Sequence, residues 1–395
     1  MKVLLSSVVF LSISHAQEVT LSDILQNTEQ KKLLSQRISE EGLALASKNL
    51  ADTEIDPLTF NQSIARANGI GISGYQHEIS FSKNFKLGNI QELEQQQNRL
   101  NNEAYLLEQE KSLLTFDSRL ANLYHQHCLG RAYVNSFEET LANFSELYAK
   151  KQRAYEQDEI AKTELLQLEF EKNRLQSTLD NLRAKSQNAQ QQILSLTSLN
   201  LSDRLSCQDI YPIKAEVHLS SDAFKLSQEA YNKRISSTQV GLKRYSQKLE
   251  SIEVSMGYAN ELDMDIYTVG VSIPLNLSTR KSEYERASLM HQSSAITLQN
   301  EQYLLNKKQK IQALEAELKR RVANIEAQEQ NIAYYSSSVL PLMKKSYDYG
   351  ESTIIEYLLT QQKLTTLQQE LLEKQKAYYQ TLFQLYSMSE TKEIN

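Results

Sequence analysis

The apolar residues of one segment, 267–277, occur at every second position. Val269, Val271, Ile273 and Leu275 belong to this row, and mostly polar or small residues separate them. A period of two places alternate side chains on opposite faces of a β-strand. A tilted strand of about 10 residues is long enough to cross a bilayer. The pattern therefore predicts a membrane-length strand with one apolar face.

Similar alternation in other segments predicts two hairpins, at about 58–87 and about 252–277. Residues 79–87 and 252–258 alternate clearly, whereas residues 58–67 alternate poorly. The side chains expected to face lipid are Ile79, Phe81, Phe85, Val254, Met256, Val269, Val271 and Ile273. Four strands are too few to close a barrel with a lumen, and open strand edges cannot face lipid. Closure therefore needs several copies of the chain, and three copies would supply twelve strands.

After each hairpin, the apolar residues recur every seven positions instead of every two. The first such row contains Leu93, Leu100, Leu107, Leu114, Ala121 and Cys128, and a later one contains Leu304, Ile311, Leu318, Ile325, Ile332 and Val339. Sustained heptads are typical of coiled-coil helices. The predicted fold class is mainly α with a small β part, with long helices over 89–156 and 279–347, shorter helices over 163–196 and 353–388, and opening helices over 21–51 and 222–250.

This arrangement of elements occurs twice, at an offset of about 190 residues. Residues 79–87 align with 269–277, and residues 155–166 align with 347–358. The chain therefore divides into a first repeat, a linker, a second repeat and a tail. The first repeat covers 17–199 and has a helical turn at about 157–162, and the linker covers 200–219. The second repeat covers 220–389 and has a turn at about 348–352, and the tail covers 390–395.

The first 16 residues have the pattern of an export signal. Lys2 precedes an apolar run over 3–13, and Ser14-His15-Ala16 forms a small-x-small cleavage site. A buried helix is the alternative, although the run is short. No later segment holds the roughly 20 apolar residues that a spanning helix needs, so membrane insertion would have to use strands.

Composition supports long helices and narrows the function. The 395 residues include only 10 Gly and 4 Pro, and the net charge of −6 with no basic face argues against nucleic-acid binding. The sequence contains no phosphate-binding loop, nucleophile elbow, zinc-ligand spacing or paired acid–base residues. We therefore expect neither an enzyme nor a bound cofactor.

One cluster, His125-Gln126-His127-Cys128, contains good ligands for transition metals. His127 and Cys128 lie on heptad rows, however, so packing explains them, and we expect no metal site. Cys207 falls in the polar linker and is expected to be an unpaired surface thiol. Two cysteines so far apart do not indicate a disulfide framework.

Several motifs together resemble those of the TolC-like outer membrane efflux factors. They are Ser272-Ile-Pro-Leu275 before a long helix, Val339-Leu-Pro-Leu342, and the turn Tyr347-Asp-Tyr-Gly350 running on to Glu356-Tyr-Leu358. Their spacing looks most like the heavy-metal (CzcC-like) branch. The chain departs from the pattern at Asn84, in place of a proline, and at Asp158, in place of the turn glycine.

The resemblance implies a homotrimer with a twelve-strand barrel in the outer membrane of a Gram-negative bacterium and long helices in the periplasm. It also implies a periplasmic adaptor (membrane fusion) protein and an inner-membrane RND-type pump as partners. The duct would be a passive exit for the substrates that the pump delivers, with heavy-metal cations as the expected class.

The resemblance also implies that the two helical turns form the periplasmic end of the duct, which gives the candidate site residues. Glu164 and Glu356 occupy equivalent positions and, in a trimer, would form carboxylate rings at the periplasmic constriction. The alternative is that both are solvated glutamates favoured at helix starts by the helix dipole. The residues expected to contact the adaptor are Asp158, Glu159, Tyr349, Gly350, Glu351 and Ser352.

A second function remains open at this point, namely a structural or adaptor coiled coil in the periplasm without a membrane barrel. The alternating segments distinguish the two, because a soluble coiled coil has no use for the strands at 79–87 and 269–277.

Overall fold

The computed structural model describes residues 18–28, 42, 44–48, 58–68, 73–200, 203–217, 219, 223–246, 251–261, 264–273 and 280–391. The predicted signal at 1–16, most of the predicted tail, and residues Pro274 and Leu275 lie outside these ranges. The predicted fold class is confirmed, because long helices accompany one small antiparallel sheet.

The elements in chain order are β1 (Glu18–Val19), α1 (Leu21–Gln26), β2 (Thr59–Asn68), β3 (Ser73–Lys86), α2 (Ile90–Glu156), α3 (Lys162–Ser195), β4 (Arg204–Leu205), α4 (Lys225–Arg244), β5 (Ser251–Glu261), β6 (Met264–Ser272), α5 (Arg280–Tyr334), α6 (Leu340–Asp348) and α7 (Ile354–Ser389). The chain folds into two compact units. The first comprises Met1–Lys32, Leu113–Ala223 and Gln309–Asn395, and the second comprises Leu33–Ser112 and Phe224–Lys308. Each unit takes residues from both sequence repeats.

The second unit contains a four-stranded antiparallel sheet in the order β2-β3-β5-β6. The two hairpins meet where β3 pairs with β5, with Ile79 opposite Tyr258 and Phe81 opposite Met256. Phe60 of β2, the strand whose sequence alternates poorly, also lies opposite Phe81. Strand pairing, rather than local periodicity, therefore sets the register of β2.

A buried ion cluster joins this sheet to its helices within the second unit. Glu94 of α2, with a side chain only 2% exposed, lies 2.5 Å from Lys86 Nζ and 2.8 Å from Arg244 Nη2. Lys86 ends β3 and Arg244 ends α4, so one carboxylate contacts three elements. A charge this deeply buried is stable only when it is paired.

The first unit has an apolar core contributed by α2, α3, α6 and α7. Its members are Val134, Phe137, Leu141, Phe144, Leu168, Leu175, Leu179, Tyr347, Ile354, Tyr357 and Leu358. Leu168 and Leu175 belong to one seven-residue row, and Val134 and Leu141 belong to another. Burial of these rows explains why the heptad pattern is present in the sequence.

The predicted opening helix over 21–51 is wrong over its early part, because α1 ends at Gln26. Asn27 caps the helix through its side-chain amide, which donates to the Asp23 carbonyl at 2.8 Å. Thr28 then forms an isolated antiparallel bridge with Thr197. A polar Asn-Thr pair that hydrogen-bonds with a neighbouring segment competes with continuation of the helix.

The predicted helix over 279–347 is also interrupted, by a π-helical turn at Tyr335–Val339. Pro341 follows immediately and has no backbone N–H to donate to the preceding turn. A π turn is a common way to accommodate such a break. None of the helices in the described part of the chain is long and apolar enough to cross a membrane.

The cysteine predictions are wrong, because Cys128 and Cys207 form a disulfide with Cα atoms 5.5 Å apart. The segment around Cys207 folds back onto α2, where Arg131 Nη1 donates to the Leu205 carbonyl at 2.9 Å and the Tyr124 hydroxyl donates to the Ser206 carbonyl. These contacts bring together two cysteines separated by 79 residues. Sequence separation alone therefore gave the wrong expectation.

Candidate functional site

The two helical turns at the ends of α2 and α6 have the same backbone geometry. Asp158 and Gly350 both adopt left-handed conformations, with φ of 58° and 73°. Glu159 N–H donates to the Ala154 carbonyl at 2.8 Å, and Glu351 N–H donates to the Ser346 carbonyl at 2.8 Å. The N–H of the left-handed residue in each turn, Asp158 or Gly350, also donates to the carbonyl three residues before it. These two bonds together form a Schellman motif.

The helices that follow these turns begin differently. Thr353 and Glu356 form a reciprocal capping box at the start of α7, in which Thr353 N–H donates to the Glu356 carboxylate at 2.7 Å. The Thr353 backbone N–H, followed by its hydroxyl, lowers the pKa of Glu356. At the equivalent position before α3, Ala161 has no side chain that could cap the helix.

Glu164 makes a tertiary contact instead. Its carboxylate accepts a hydrogen bond from the Tyr347 hydroxyl and lies 3.5 Å from Lys151 Nζ. Tyr347 stacks on Tyr357 with ring centroids 5.3 Å apart. Burial, together with the Glu164 carboxylate, raises the pKa of Tyr347, so its phenol stays protonated and can donate.

The predicted constriction residues therefore both lie in the first turn of a helix, as the helix-start alternative expects. Glu356 is exposed and Glu164 is half-buried. The local partners of each carboxylate account for its position within one chain. Sequence reasoning missed Tyr347 as a partner of Glu164, because that contact joins residues from different repeats. It also missed Lys151, which lies across the turn within the same repeat.

The residues predicted to contact an adaptor lie at these turns. Tyr349 is 71% exposed, Asp158, Glu159, Gly350 and Glu351 are exposed, and Ser352 is half-buried. The turns consequently present acidic side chains and one large aromatic ring to their surroundings.

The sheet in the second unit has two chemically different faces. Residues opposite one another in the register share a face, and this places seven of the eight predicted lipid-facing side chains on one side. Ile273, one residue beyond the end of β6, continues the alternation on that side. Ile79 and Val254 are half-buried there, and the other six are exposed. The opposite face is mostly polar or small, with members that include Ser80, Ser82, Asn84, Glu253, Ser255, Gly257, Thr268, Gly270 and Ser272.

The cluster around His125 has a structural role in the first unit. The ring accepts the Tyr211 N–H on Nε2 at 3.0 Å, and Nδ1 lies 2.8 Å from the Ala121 carbonyl. These partners fix the neutral tautomer with the proton on Nδ1. Burial lowers the pKa of His125 to about 4. Cys128 is oxidised, and the described residues contain no group of three metal-ligating side chains.

The structure resembles several solved outer membrane channels. The Campylobacter jejuni CmeC outer membrane channel matches with a TM-score of 0.71 and 12% identity, over 98% of this chain and 93% of that one. CusC, described in connection with transmembrane channel formation, matches with a TM-score of 0.70 and 16% identity, over 93% and 90% of the two chains. The open-state Neisseria gonorrhoeae MtrE outer membrane channel matches with a TM-score of 0.66 and 13% identity, over 93% and 87%.

The sequence itself matches no protein-family profile. It also matches no curated protein. At such low identities, the structural likeness is evidence of fold. The chain therefore has the fold of the TolC-type outer membrane channels.

Proposed function

We propose that the chain is the outer membrane component of a tripartite efflux system, a passive exit duct for substrates that a pump delivers. The observation that carries this proposal is the two-faced sheet. One face is mostly apolar and mostly exposed, with Lys83 as its charged member, and the outer strands β2 and β6 are each paired on one side only among the described strands. Lipid tolerates such strands only in a closed barrel.

Three copies would join β2 of one chain to β6 of the next and produce twelve strands. The apolar row would then face lipid, and the polar row would face a water-filled lumen. The heptad helices would lie in the periplasm of a Gram-negative bacterium. The fold shared with CmeC, CusC and MtrE supports this arrangement.

Cell fractionation and mass measurement test the proposal. The full chain should be found in the outer membrane, require detergent for extraction, and have the mass of a homotrimer. A chain that remains soluble without detergent and sediments as a monomer or dimer would instead support a periplasmic coiled-coil protein.

Within the duct, Glu164 and Glu356 would form the periplasmic constriction. Six carboxylates from three chains would favour cations over anions. The lowered pKa of Glu356 keeps that side chain negative at neutral pH. Replacing both residues with Gln should reduce the selectivity of single-channel currents for cations, whereas replacing the exposed Glu326 of α5 should leave it unchanged.

The proposed partners are a periplasmic adaptor (membrane fusion) protein and an inner-membrane RND-type pump. The exposed turn residues, Tyr349 and Glu351 among them, supply the proposed adaptor surface. Crosslinking in cells from cysteine at position 349 would identify the adaptor, with cysteine at the exposed position 326 of α5 as the control.

Heavy-metal cations are the proposed substrates, on the basis of the sequence resemblance to the CzcC-like branch. A deletion strain should become sensitive to zinc, cadmium, copper or nickel. Sensitivity confined to hydrophobic drugs would contradict the metal assignment and leave the duct proposal intact.

A further inference from the structure

A cavity of about 210 Å³ in the first unit lies among α2, α3 and α7, away from the helical turns. Its polar lining comprises Gln126, His127, Lys185, Ser186, Gln192 and Lys376. A water molecule occupies about 30 Å³, so the cavity has room for a small ligand and some of its hydration. It does not depend on the two-faced sheet or on the proposed duct.

His127 is the unusual member of this lining. Its side chain is only 3% exposed, yet neither Nδ1 nor Nε2 has a hydrogen-bond partner among the described residues. Burial lowers the pKa of His127, and the Ser186 backbone only partly offsets this effect. A neutral imidazole offers one N–H donor and one acceptor, and buried groups of this kind are normally satisfied. The Ser186 backbone lies near the ring without forming a hydrogen bond, so the ring N–H can donate to a ligand in the cavity instead.

The charge around the cavity is positive. Lys185 and Lys376 line it from α3 and α7, and Arg131 on α2 is close enough to lower the pKa of His127. Lys376 lies 2.9 Å from Glu373, an exposed carboxylate outside the lining. The described lining residues include no Asp or Glu. Ammonium, imidazole and amide donors around one small space favour an oxyanion.

Space around Gly130 on α2 supports the same conclusion. A Cβ atom at this position would meet no other atom within 4 Å. Close helix packing therefore does not explain the glycine, and it borders the cavity beside His127.

We propose that this cavity binds a small oxyanion, a phosphate or a carboxylate, between the His127 ring and the two lysines. The bound anion would link α2, α3 and α7 and stabilise the first unit by mass action. Phosphate and carboxylate share this donor chemistry, and two probes distinguish them.

The test is calorimetric titration of the detergent-purified full chain with inorganic phosphate and, separately, with acetate at fixed ionic strength. One saturable site per chain is expected for at least one probe. The affinity for that probe should fall at least tenfold in His127→Leu, in Gly130→Leu and in the double variant Lys185→Met with Lys376→Met. The double variant Lys344→Met with Lys345→Met, at exposed positions of α6, removes the same charge outside the cavity and should stay within twofold.

Gly130→Leu separates loss of the site from loss of folding. It leaves every polar lining group in place, and leucine favours a helix more than glycine does. Its unfolding temperature should equal or exceed that of the parent protein while binding is lost. The proposal is overturned if neither probe binds saturably, or if affinity stays within twofold in any one of the three cavity variants.

Discussion

The two helical turns of the first unit have one backbone conformation but are stabilised by different side chains. The turn before α7 has Gly350 at the left-handed position and a Thr353–Glu356 capping box. The turn before α3 has Asp158 and Ala161 at the equivalent places, both poorer choices for those roles. Glu164 and Tyr347 supply a tertiary contact there instead. Local sequence preference therefore stabilises one turn, and contact between the repeats supports the other.

Removing the tertiary contact should have the largest effect. Tyr347→Ala deletes a buried ring from the apolar core as well as the hydrogen bond to Glu164. A loss of about 3 kcal/mol in the free energy of unfolding is expected, by analogy with other buried aromatic truncations. Thermal or denaturant unfolding measures it.

Tyr155 is the matched control, because it occupies the equivalent position in the first repeat and lies outside the core cluster. Tyr155→Ala should cost less than about 1 kcal/mol. Equal losses at the two positions would mean that the turns do not differ in the way described here.

Substitutions at the left-handed residue of each turn should have the next largest effect on stability. Gly350→Ala places a Cβ at φ 73° and should cost about 1 kcal/mol or more. Asp158→Gly removes the corresponding strain in the first turn and should be neutral or stabilising. Hydrogen exchange at the Glu351 and Glu159 amides, which close the two turns, reports each change locally. Faster exchange at Glu159 in Asp158→Gly would contradict this interpretation.

Substitutions at the N-caps of α7 and α3 test the same difference between the two turns, with a smaller expected change in stability. Thr353→Ala removes the cap of α7 and should cost about 1 kcal/mol. Ala161→Ser creates a cap for α3 and should gain somewhat less, because Glu164 already bonds with Tyr347. Hydrogen exchange in the first turn of each helix checks both. A gain larger than the Thr353→Ala loss would show that Glu164 is free to form a capping box.

Acid should weaken the second turn by the smallest amount. The folded-state pKa of Glu356 lies below its ordinary value of 4.5, so its contribution is complete above about pH 4.5 and is lost as the pH falls through the folded-state pKa. Hydrogen exchange at the Glu356 amide should accelerate over this window, relative to the intrinsic exchange rate. Glu356→Gln should abolish the pH dependence, and a dependence that persists would assign it to another group.

The sequence predicts repetitive structure well and tertiary pairing poorly. The strand periodicity of 269–273 and the heptads of α2 follow from faces that must be buried or exposed together. The Cys128–Cys207 disulfide and the Glu164–Tyr347 bond join residues far apart in sequence, and no periodic pattern encodes them. The end of α1 at Gln26 depends on the bridge from Thr28 to Thr197, which is also a distant contact.

The candidate site divides in the same way. Alignment of the repeats places Asp158 opposite Gly350, and both positions are left-handed. Alignment of the repeats does not predict the bond from Tyr347 to Glu164, because Tyr347 belongs to the turn of the other repeat. The heptad position of His127 predicts that the ring is buried, but it does not predict whether the two ring nitrogens find partners.

The central claim is that the sheet has one face toward lipid and one toward water, and cysteine scanning of adjacent strand positions tests it most directly. The two native cysteines are joined to each other, so an introduced cysteine is the only free thiol. In outer membrane vesicles, cysteines at 81 and 269 should resist a water-soluble maleimide and carry probes that brominated lipid quenches. Cysteines at the neighbouring positions 82 and 268 should react with the maleimide and escape quenching. Equal reactivity of all four, with no quenching by lipid, would contradict the account.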